Sequence, residues 1–307
     1  MQKKLIVRIS ENLGNQLFMY ANAFNIAKKL NYKLYIDHKS AYRDHDKHLN
    51  ISYQLNHFNL NTEIAPEKYL ALKPFSYLKS KFRKKIDVFK KRKSYIIEVR
   101  DRNKNTSFSP NYLLGTFSNI LFVEGYFQSE KYFIDYKDEI LKKYGLEKSV
   151  ENQVNFDINT FKNTNSVSIC IRQNRFTERL EKDKSNTNKI KLSKNFTKRT
   201  IEYVKLAANI IKQKINNPKF FVWSNDFNNL REYFNSDEYV FVDNNINKTI
   251  TDFYSMTLCK HFIICPTTFH WWAGYLSSNK NKICIKPPDD LKFSNNKDIY
   301  PITWKGI

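Results

Sequence analysis

The first clear pattern along the chain is a short apolar run, Leu5-Ile6-Val7-Arg8-Ile9. It gives way to polar residues at Glu11 and Asn12 and then to a helical rhythm. Short continuous apolar runs suit strands buried on both faces, whereas recurrence at three and four residues suits an amphipathic helix. On this basis residues 5–9 form a strand, 18–30 a helix and 33–37 a second strand. The pattern then degrades until a strand at 120–124 and a helix over 129–144. Residues 151–165 are polar, Asn-rich and without a period, as expected of a linker. The second half alternates cleanly. Strands are expected at 167–172, 220–223, 239–242, 261–265 and 282–286, with helices at about 197–214, 228–234, 250–260 and 269–276 between them. Repeated βα units with short buried strands predict an α/β protein built on parallel sheets covered on both faces.

Length divides this pattern into two. The 307 residues fit one large domain or two of about 150, and the linker sets the expected boundaries at 1–155 and 165–307. With 41% apolar and 15% aromatic residues the chain can bury real cores, which excludes a disordered protein. The net charge of +22 directs attention to anionic partners, although many Lys and Asn residues reflect compositional bias. It concentrates at 73–104, where Lys and Arg alternate with Phe75, Tyr77, Phe82, Ile86, Val88 and Phe89. This basic insertion reads either as a contact with an anionic membrane surface or as the solvated face of a helix. A third reading is nucleic-acid binding.

Cys170, Cys259, Cys265 and Cys284 are widely spaced and form no CxxC pair, which predicts buried thiols in a reducing compartment. The chain begins with a core strand rather than a leader, and no apolar run approaches the roughly 18 residues of a membrane span. A cytoplasmic protein is expected, either free or peripheral on the inner face of the membrane. Asp44, His45, Asp46 and His48 form a local cluster, but a single polar run rarely supplies the convergent oxygens of a hard-metal site. No metal is expected there.

Chemistry is expected at the carboxyl ends of the strands. The first strand runs into Leu13-Gly14-Asn15-Gln16, a tight turn with two carboxamides before a helix N-terminus. Unpaired N–H groups there favour an anion, and the carboxamides suit a sugar or nucleotide. An ordinary βα turn has the same form. Strand 167–172 ends at Arg172, whose guanidinium fork fits a diphosphate or, equally, a salt bridge at a sheet edge. Strand 220–223 ends in Ser224-Asn225-Asp226, where the acid can meet ribose hydroxyls or a guanine edge, or simply cap a helix. Strand 261–265 ends in Pro266-Thr267-Thr268-Phe269-His270-Trp271-Trp272. Two threonines before a helix offer hydroxyls and N–H groups to phosphate, or a Thr N-cap.

Taken together these blocks resemble glycosyltransferase family 11, the α-1,2-fucosyltransferases. The family's GGLGNQ-F-Y-A block is matched by Leu13-Gly14-Asn15-Gln16 with Phe18, Tyr20 and Ala21. Its GYWQSE-YF block is matched by Gly125-Tyr126-Phe127-Gln128-Ser129-Glu130 with Tyr132 and Phe133. Its FSDD block resembles Trp223-Ser224-Asn225-Asp226. Its last block resembles Cys259-Lys260-His261, Ile263-Ile264 and then Thr267-Thr268-Phe269-His270-Trp271-Trp272. Two departures stand out. Of the HxRRGD block only Arg172 remains in Arg172-Gln173-Asn174-Arg175, with Arg175 at the acid position, and Glu11-Asn12 replaces the leading glycines.

The resemblance implies a GT-B fold of two Rossmann-like domains facing across a cleft, the acceptor on the first and the GDP-sugar on the second. It implies inverting, metal-independent transfer of L-fucose from GDP-β-L-fucose, the donor substrate, to a galactoside-type hydroxyl in bacterial surface polysaccharide, with no other cofactor. The acceptor is expected to be lipid-linked. Donor contacts are implied for Asn15, Gln16, Arg172, Asp226, Thr267, Thr268 and Phe269. Glu178 and Glu181, just beyond Arg172, are candidates for the catalytic base. The altered Arg172 loop leaves a related transferase using another GDP-sugar as the alternative.

Overall fold

A computed structural model of the chain describes residues 2–42, 51–98, 106–146, 148–178, 180–246 and 248–307. Two compact units are present, Met1–Gly145 with Ser294–Pro301, and Leu146–Phe293 with Ile302–Ile307.

Unit 1 contains β1 (Lys4–Arg8), α1 (Leu13–Leu30), β2 (Lys33–Asp37), β3 (Glu63–Ile64), α2 (Pro74–Asp87), β4 (Arg92–Ile97), β5 (Thr116–Glu124) and α3 (Lys137–Lys143). The strands form one parallel sheet in the order β3-β2-β1-β5-β4. β1 is central, with Leu5 opposite Leu34 on one side and Leu121 on the other. Leu5, Ile6 and Val7 are buried, which is why this strand reads as an unbroken apolar run rather than an alternation. Helix α1 lays Leu17, Phe18 and Tyr20 into the core and ends at Asn31, whose left-handed φ of 56° closes the helix where glycine often stands.

Unit 2 contains α4 (Lys148–Glu151), α5 (Ile158–Asn163), β6 (Asn165–Ile171), α6 (Glu181–Lys184), α7 (Thr187–Lys212), β7 (Pro218–Ser224), α8 (Leu230–Tyr233), β8 (Tyr239–Phe241), α9 (Lys248–Thr257), β9 (His261–Ile263), α10 (Thr268–Leu276) and β10 (Cys284–Ile285). Its parallel sheet has the order β10-β9-β6-β7-β8. Val167, Ile169 and Ile171 of β6 pack with Val204, Ala207 and Ile211 of α7 in the main core.

Both sheets share one topological property. In unit 1 the chain leaves β1 toward β2 and later returns to pair β5 on its other side. In unit 2 it leaves β6 toward β7 and later returns to pair β9. The strand order therefore reverses between β1 and β5 and again between β6 and β9. Loops diverging at such a point open a crevice at the carboxyl ends, where α/β sheets bind ligands.

Several boundaries differ from the sequence expectation. The helix expected over 129–144 is broken into single turns at Glu130–Tyr132 and Ile134–Tyr136 before α3, where fully buried Phe133 leaves the helical region with φ −142° and ψ 10°. The linker expected over 151–165 carries α5. Asp157 caps it, and Phe161 packs against Phe221 and Trp223, so this stretch belongs to unit 2 and the division falls after Gly145. Helix α7 starts ten residues earlier than its apolar rhythm, capped by the Asn186 side chain at Lys189 N–H. Much of 73–104 is regular, as α2 and β4; residues 99–105 lie outside the described residues, as do Asp44, His45, Asp46 and His48.

Candidate active site

The chemistry of unit 2 gathers at its switch point. As the chain leaves β6, Arg172 forms an ion pair with Glu178. The turn between them is made by Asn174, whose φ of 55° lies in the left-handed region that Asn tolerates. Its carbonyl accepts the N–H groups of Thr177 and Glu178, each at 2.9 Å. Glu178 thus holds the Arg172 fork in place, and a carboxylate spent on an arginine is a positioning group before it is a base. Glu181 opens α6, and its side chain lies outside the described residues.

The residues that depart from the family pattern fasten neighbouring loops together. Gln173 donates through Nε2 to the carbonyls of Asp226 at 2.6 Å and Asn228 at 3.0 Å, and its N–H reaches Asn225 Oδ1 at 2.8 Å. Arg175 donates to the Pro266 carbonyl at 2.9 Å, and its guanidinium lies 4.7 Å from the Phe196 ring centroid. Arg175 therefore ties the loop after β6 to the loop after β9 across the switch point. Asp226 accepts the Asn228 N–H at 2.9 Å and Asn174 Nδ2 at 3.3 Å, the geometry of a turn cap.

After β9 the chain enters α10. Thr267 is its N-cap. The hydroxyl accepts the His270 N–H at 3.1 Å, and the Trp271 N–H reaches the Thr267 carbonyl at 3.1 Å. The Thr267 side chain is committed to the helix, as the capping alternative has it. Thr268 and Phe269 are half-buried in the first turn, where helix geometry leaves their N–H groups without an acceptor inside the helix. Those amides and the helix dipole suit an anion.

The helix is held rigidly beneath them. His270 is fully buried, and burial pushes its pKa down to about 3. Its Nδ1 accepts the Cys265 N–H at 3.0 Å, so the proton sits on Nε2 and is donated to Ser168 Oγ at 3.0 Å. Gly274 permits the close approach, because a Cβ there would come within 2.7 Å of Ile264 Cδ1. Trp271 and Trp272 are core residues packed with Tyr275 and Trp304. The conspicuous tryptophan pair supports the site from below.

Unit 1 places the other two motifs at its own switch point. Asn15 lies in the first turn of α1, and its Oδ1 accepts Gln128 Nε2 at 2.8 Å from the turn after β5. Gln16 is fully buried, and its carboxamide is occupied by the chain. Nε2 lies 2.7 Å from the Glu11 carbonyl, 2.9 Å from Tyr42 Oη and 2.6 Å from the Ser52 carbonyl, while Oε1 accepts Gln54 N–H at 2.9 Å. Gln16 braces the turn from within; Asn15 is the half-buried member of the pair.

Sequence reasoning missed three features here. Glu11 replaces a family glycine yet keeps a φ of 62°, the conformation glycine favours, and its Oε1 accepts the Tyr126 hydroxyl at 3.0 Å. Gly125 has φ 140°, and a Cβ there would fall 2.3 Å from Glu98 Cβ. The Glu98 carboxylate accepts the Tyr126 and Phe127 N–H groups at 2.7 and 3.1 Å, which fixes the loop after β5. In unit 2, buried Asp252 accepts Asn244 Nδ2 at 2.9 Å and pairs with Lys248 at 3.2 Å, and burial raises its pKa. No local sequence pattern marks Glu11–Tyr126 or Glu98–Gly125, because the fold brings those pairs together, whereas Lys248 and Asp252 are an i,i+4 pair on α9. Among the described residues no group of three or more His, Cys, Asp or Glu is gathered as a metal site.

Two parallel Rossmann-like units place the chain in the GT-B architecture. Solved structures of the same fold include an α-1,6-fucosyltransferase, NodZ, soaked with GDP-fucose (12% identity, TM-score 0.52, covering 90% of this chain and 93% of that one). Another is Arabidopsis thaliana FUT1 in complex with GDP (12% identity, TM-score 0.56, covering 96% of this chain and 72% of that one). Residues 4–307 match glycosyl transferase family 11, and the chain belongs to that family. Similar proteins include an Escherichia coli α-1,2-colitosyltransferase, 25% identical over 315 residues and covering 99% of this chain and 98% of that one. The E. coli O-antigen biosynthesis glycosyltransferase WbnK is 24% identical over 318 residues, covering 97% of this chain and 99% of that one. The protein is a glycosyltransferase.

Proposed function

We propose that the chain moves a 6-deoxysugar from its GDP conjugate to a hydroxyl of a bacterial surface glycan, with inversion at the anomeric carbon. The observation that carries this reading is the unit 2 switch point, where Arg172 and the N-terminal amides of Thr268 and Phe269 are presented by adjacent strand ends. Attack by the acceptor oxygen breaks the bond between the anomeric carbon and the GDP oxygen. Electrons pass to the β-phosphate while the sugar gains oxocarbenium character. Preorganised positive charge and N–H donors stabilise that leaving group without requiring a metal. Asp226 then addresses the guanosine, and Asn15 is a donor contact on the strength of the family motif alone.

L-Fucose in α-1,2 linkage to a galactoside is the reading carried by the motifs. The similarity to a colitosyltransferase supports a second donor. Colitose is L-fucose without its 3-hydroxyl, so the two donors differ by one polar group. O-antigen assembly on the cytosolic side of the membrane fits the second relative and the four free thiols.

The test is a donor series, with GDP-fucose, GDP-colitose, GDP-mannose and UDP-galactose compared by thermal shift and by sugar transfer. Stabilisation by GDP and its conjugates is expected. Selective stabilisation by the UDP-sugar would overturn the reading. A site that hydrogen-bonds the 3-hydroxyl should favour fucose over colitose by about 10⁴–10⁵-fold in kcat/KM, whereas one that merely accommodates it discriminates by about 10².

A further inference from the structure

The helix α2 presents the wrong face to solvent. Phe75, Leu78, Phe82 and Ile86 recur at intervals of three and four residues, which places them within an arc of about 80°. That stripe is exposed, with Phe75 at 77%, Leu78 at 62% and Phe82 at 64% of full accessibility. Beyond the helix end, Val88 at 71% and Phe89 at 89% extend it.

The opposite face carries the helix's polar anchors. Lys84 pairs with Glu124 at the end of β5. Asp87 is buried and accepts the Ser94 and Tyr95 N–H groups of β4 at 2.9–3.1 Å. Lys93 Nζ donates to the Asp87 and Val88 carbonyls at 3.0 and 2.6 Å. The amphipathic pattern is therefore inverted relative to a helix that packs its apolar side on a sheet. Ion pairs and backbone hydrogen bonds fix this helix with its apolar stripe facing outward.

Cations border the stripe. Lys79 and Arg83 flank one side, Lys81 and Lys85 the other, and all four are exposed. Lys90, Lys91 and Arg92 follow directly and are exposed as well. An apolar strip rimmed on both sides by Lys and Arg is the pattern of a helix lying in the plane of a bilayer interface, aromatic side chains among the acyl chains and cations at the headgroups. Among the described residues no helix is long and apolar enough to cross a membrane, so attachment here is peripheral.

We propose that α2 and the following turn dock unit 1 onto an anionic membrane leaflet, Phe75, Leu78, Phe82 and Phe89 entering the interface and Lys79, Lys81, Arg83 and Lys85 meeting acidic headgroups. An anionic bilayer satisfies both halves of the surface. Nucleic acid would use the cations and leave the stripe in water, and a second copy of this strongly basic chain would bring like charges together.

The test is co-sedimentation of the full chain with vesicles of phosphatidylcholine alone or with phosphatidylglycerol added, alongside Phe75→Ser/Phe82→Ser/Phe89→Ser and Lys79→Gln/Lys81→Gln/Lys85→Gln. The wild type should bind the anionic vesicles strongly and the neutral ones weakly. The apolar triple variant should lose binding, and the charge variant should weaken roughly 100-fold. Both should keep transfer to a soluble acceptor glycan, which separates this docking from the donor reading. Equal binding of the apolar triple variant and wild type, or equal binding to both vesicle types, would overturn the proposal. So would a wild-type dimer in light scattering that the apolar variant converts to monomer.

Discussion

The two switch points have the same topology and a different balance of charge. In unit 1 the strand ends carry Asp37, Glu98 and Glu124 together with Glu11 in the turn. The arginine among them, Arg8, is divided between Asp37 at 3.3 Å and Glu124 at 3.0 Å. In unit 2 the strand ends carry Arg172, ion-paired with Glu178, and Arg175, with Asp226 in the turn after β7, and a helix N-terminus adds its amides. A diphosphate in unit 1 would meet carboxylates, which repel it. The same group in unit 2 would meet a guanidinium fork and oriented N–H donors. Topology says where a ligand can bind; the residues at each reversal say which ligand.

The sharpest break of this comparison exchanges the roles of two arginines. Arg172→Ala should lower kcat/KM by 10²–10³-fold, about 2.7–4 kcal/mol, and abolish stabilisation by GDP while leaving the fold intact. Arg8→Ala should do the reverse. It strands Asp37, which is 1% exposed, and should cost about 3 kcal/mol of stability, with GDP affinity unchanged in the protein that remains folded. Titration calorimetry and denaturant unfolding on both variants check the pair. Loss of GDP binding in the Arg8 variant would erase the distinction between the units.

A smaller test uses acid. His270 stands neutral beneath the unit 2 site with its pKa depressed to about 3 from 6.5. The unfolded chain takes up this proton first, so the stabilisation is complete above pH 6.5 and is lost as pH falls from there toward 3. The slope from this residue is about 1.4 kcal/mol per pH unit. His261, also lowered by burial, acts in the same direction. Thermal melts between pH 7 and 5, where most carboxylates stay ionised, should show unit 2 loosening ahead of unit 1. Imidazole chemical shifts should show His270 untitrated across that range.

The smallest effect concerns the neutral latch of unit 1. Gln128→Ala frees Asn15 from its 2.8 Å hydrogen bond and should cost about 1 kcal/mol, seen as a raised KM for the sugar donor with GDP affinity unchanged. A variant with weakened GDP binding would place the nucleotide at unit 1 as well.

What the sequence disclosed follows from how locally each feature is encoded. β1, β6, β7 and β9 are buried on both faces, so their apolar runs announce them. α10 follows a strand end with a capping threonine and starts within one residue of its expected bound, whereas α1 begins at Leu13, five residues before the expected 18, at an Asn12 N-cap whose side chain makes no capping bond. α2 was legible only as one reading of the basic insertion, because its apolar residues face solvent and its anchors are charged, so the pattern shows a helix without showing which face is held. The first turns of α7 expose Leu192 and are otherwise mostly polar, so the apolar rhythm begins ten residues after the helix does.

At the site, Arg172 and the 267–269 turn could be located because strand ends and helix starts are readable. The use of each side chain was not. Gln16 is spent on Ser52 and Gln54, Thr267 on its own helix, and Glu178 on Arg172. The Thr267 cap is a local pattern and stood among the alternatives, but the partners of Gln16 lie dozens of residues away, where no local pattern specifies them.

The segment Ser294–Pro301 belongs to unit 1 although nearly all of unit 2 precedes it in the chain. Asp298 accepts the Phe108 N–H at 2.7 Å, the Ser129 hydroxyl reaches its carbonyl at 2.7 Å, and Asn296 Nδ2 donates to Gln128 at 3.2 Å. The loop after β5, and with it the Gln128 latch on Asn15, is therefore incomplete until residue 298 leaves the ribosome. Domains usually mature in the order of their synthesis. In this chain unit 1 is finished only after residues 146–293 of unit 2 have been made, so a nascent chain stalled within that stretch holds a unit 1 still lacking its last strap.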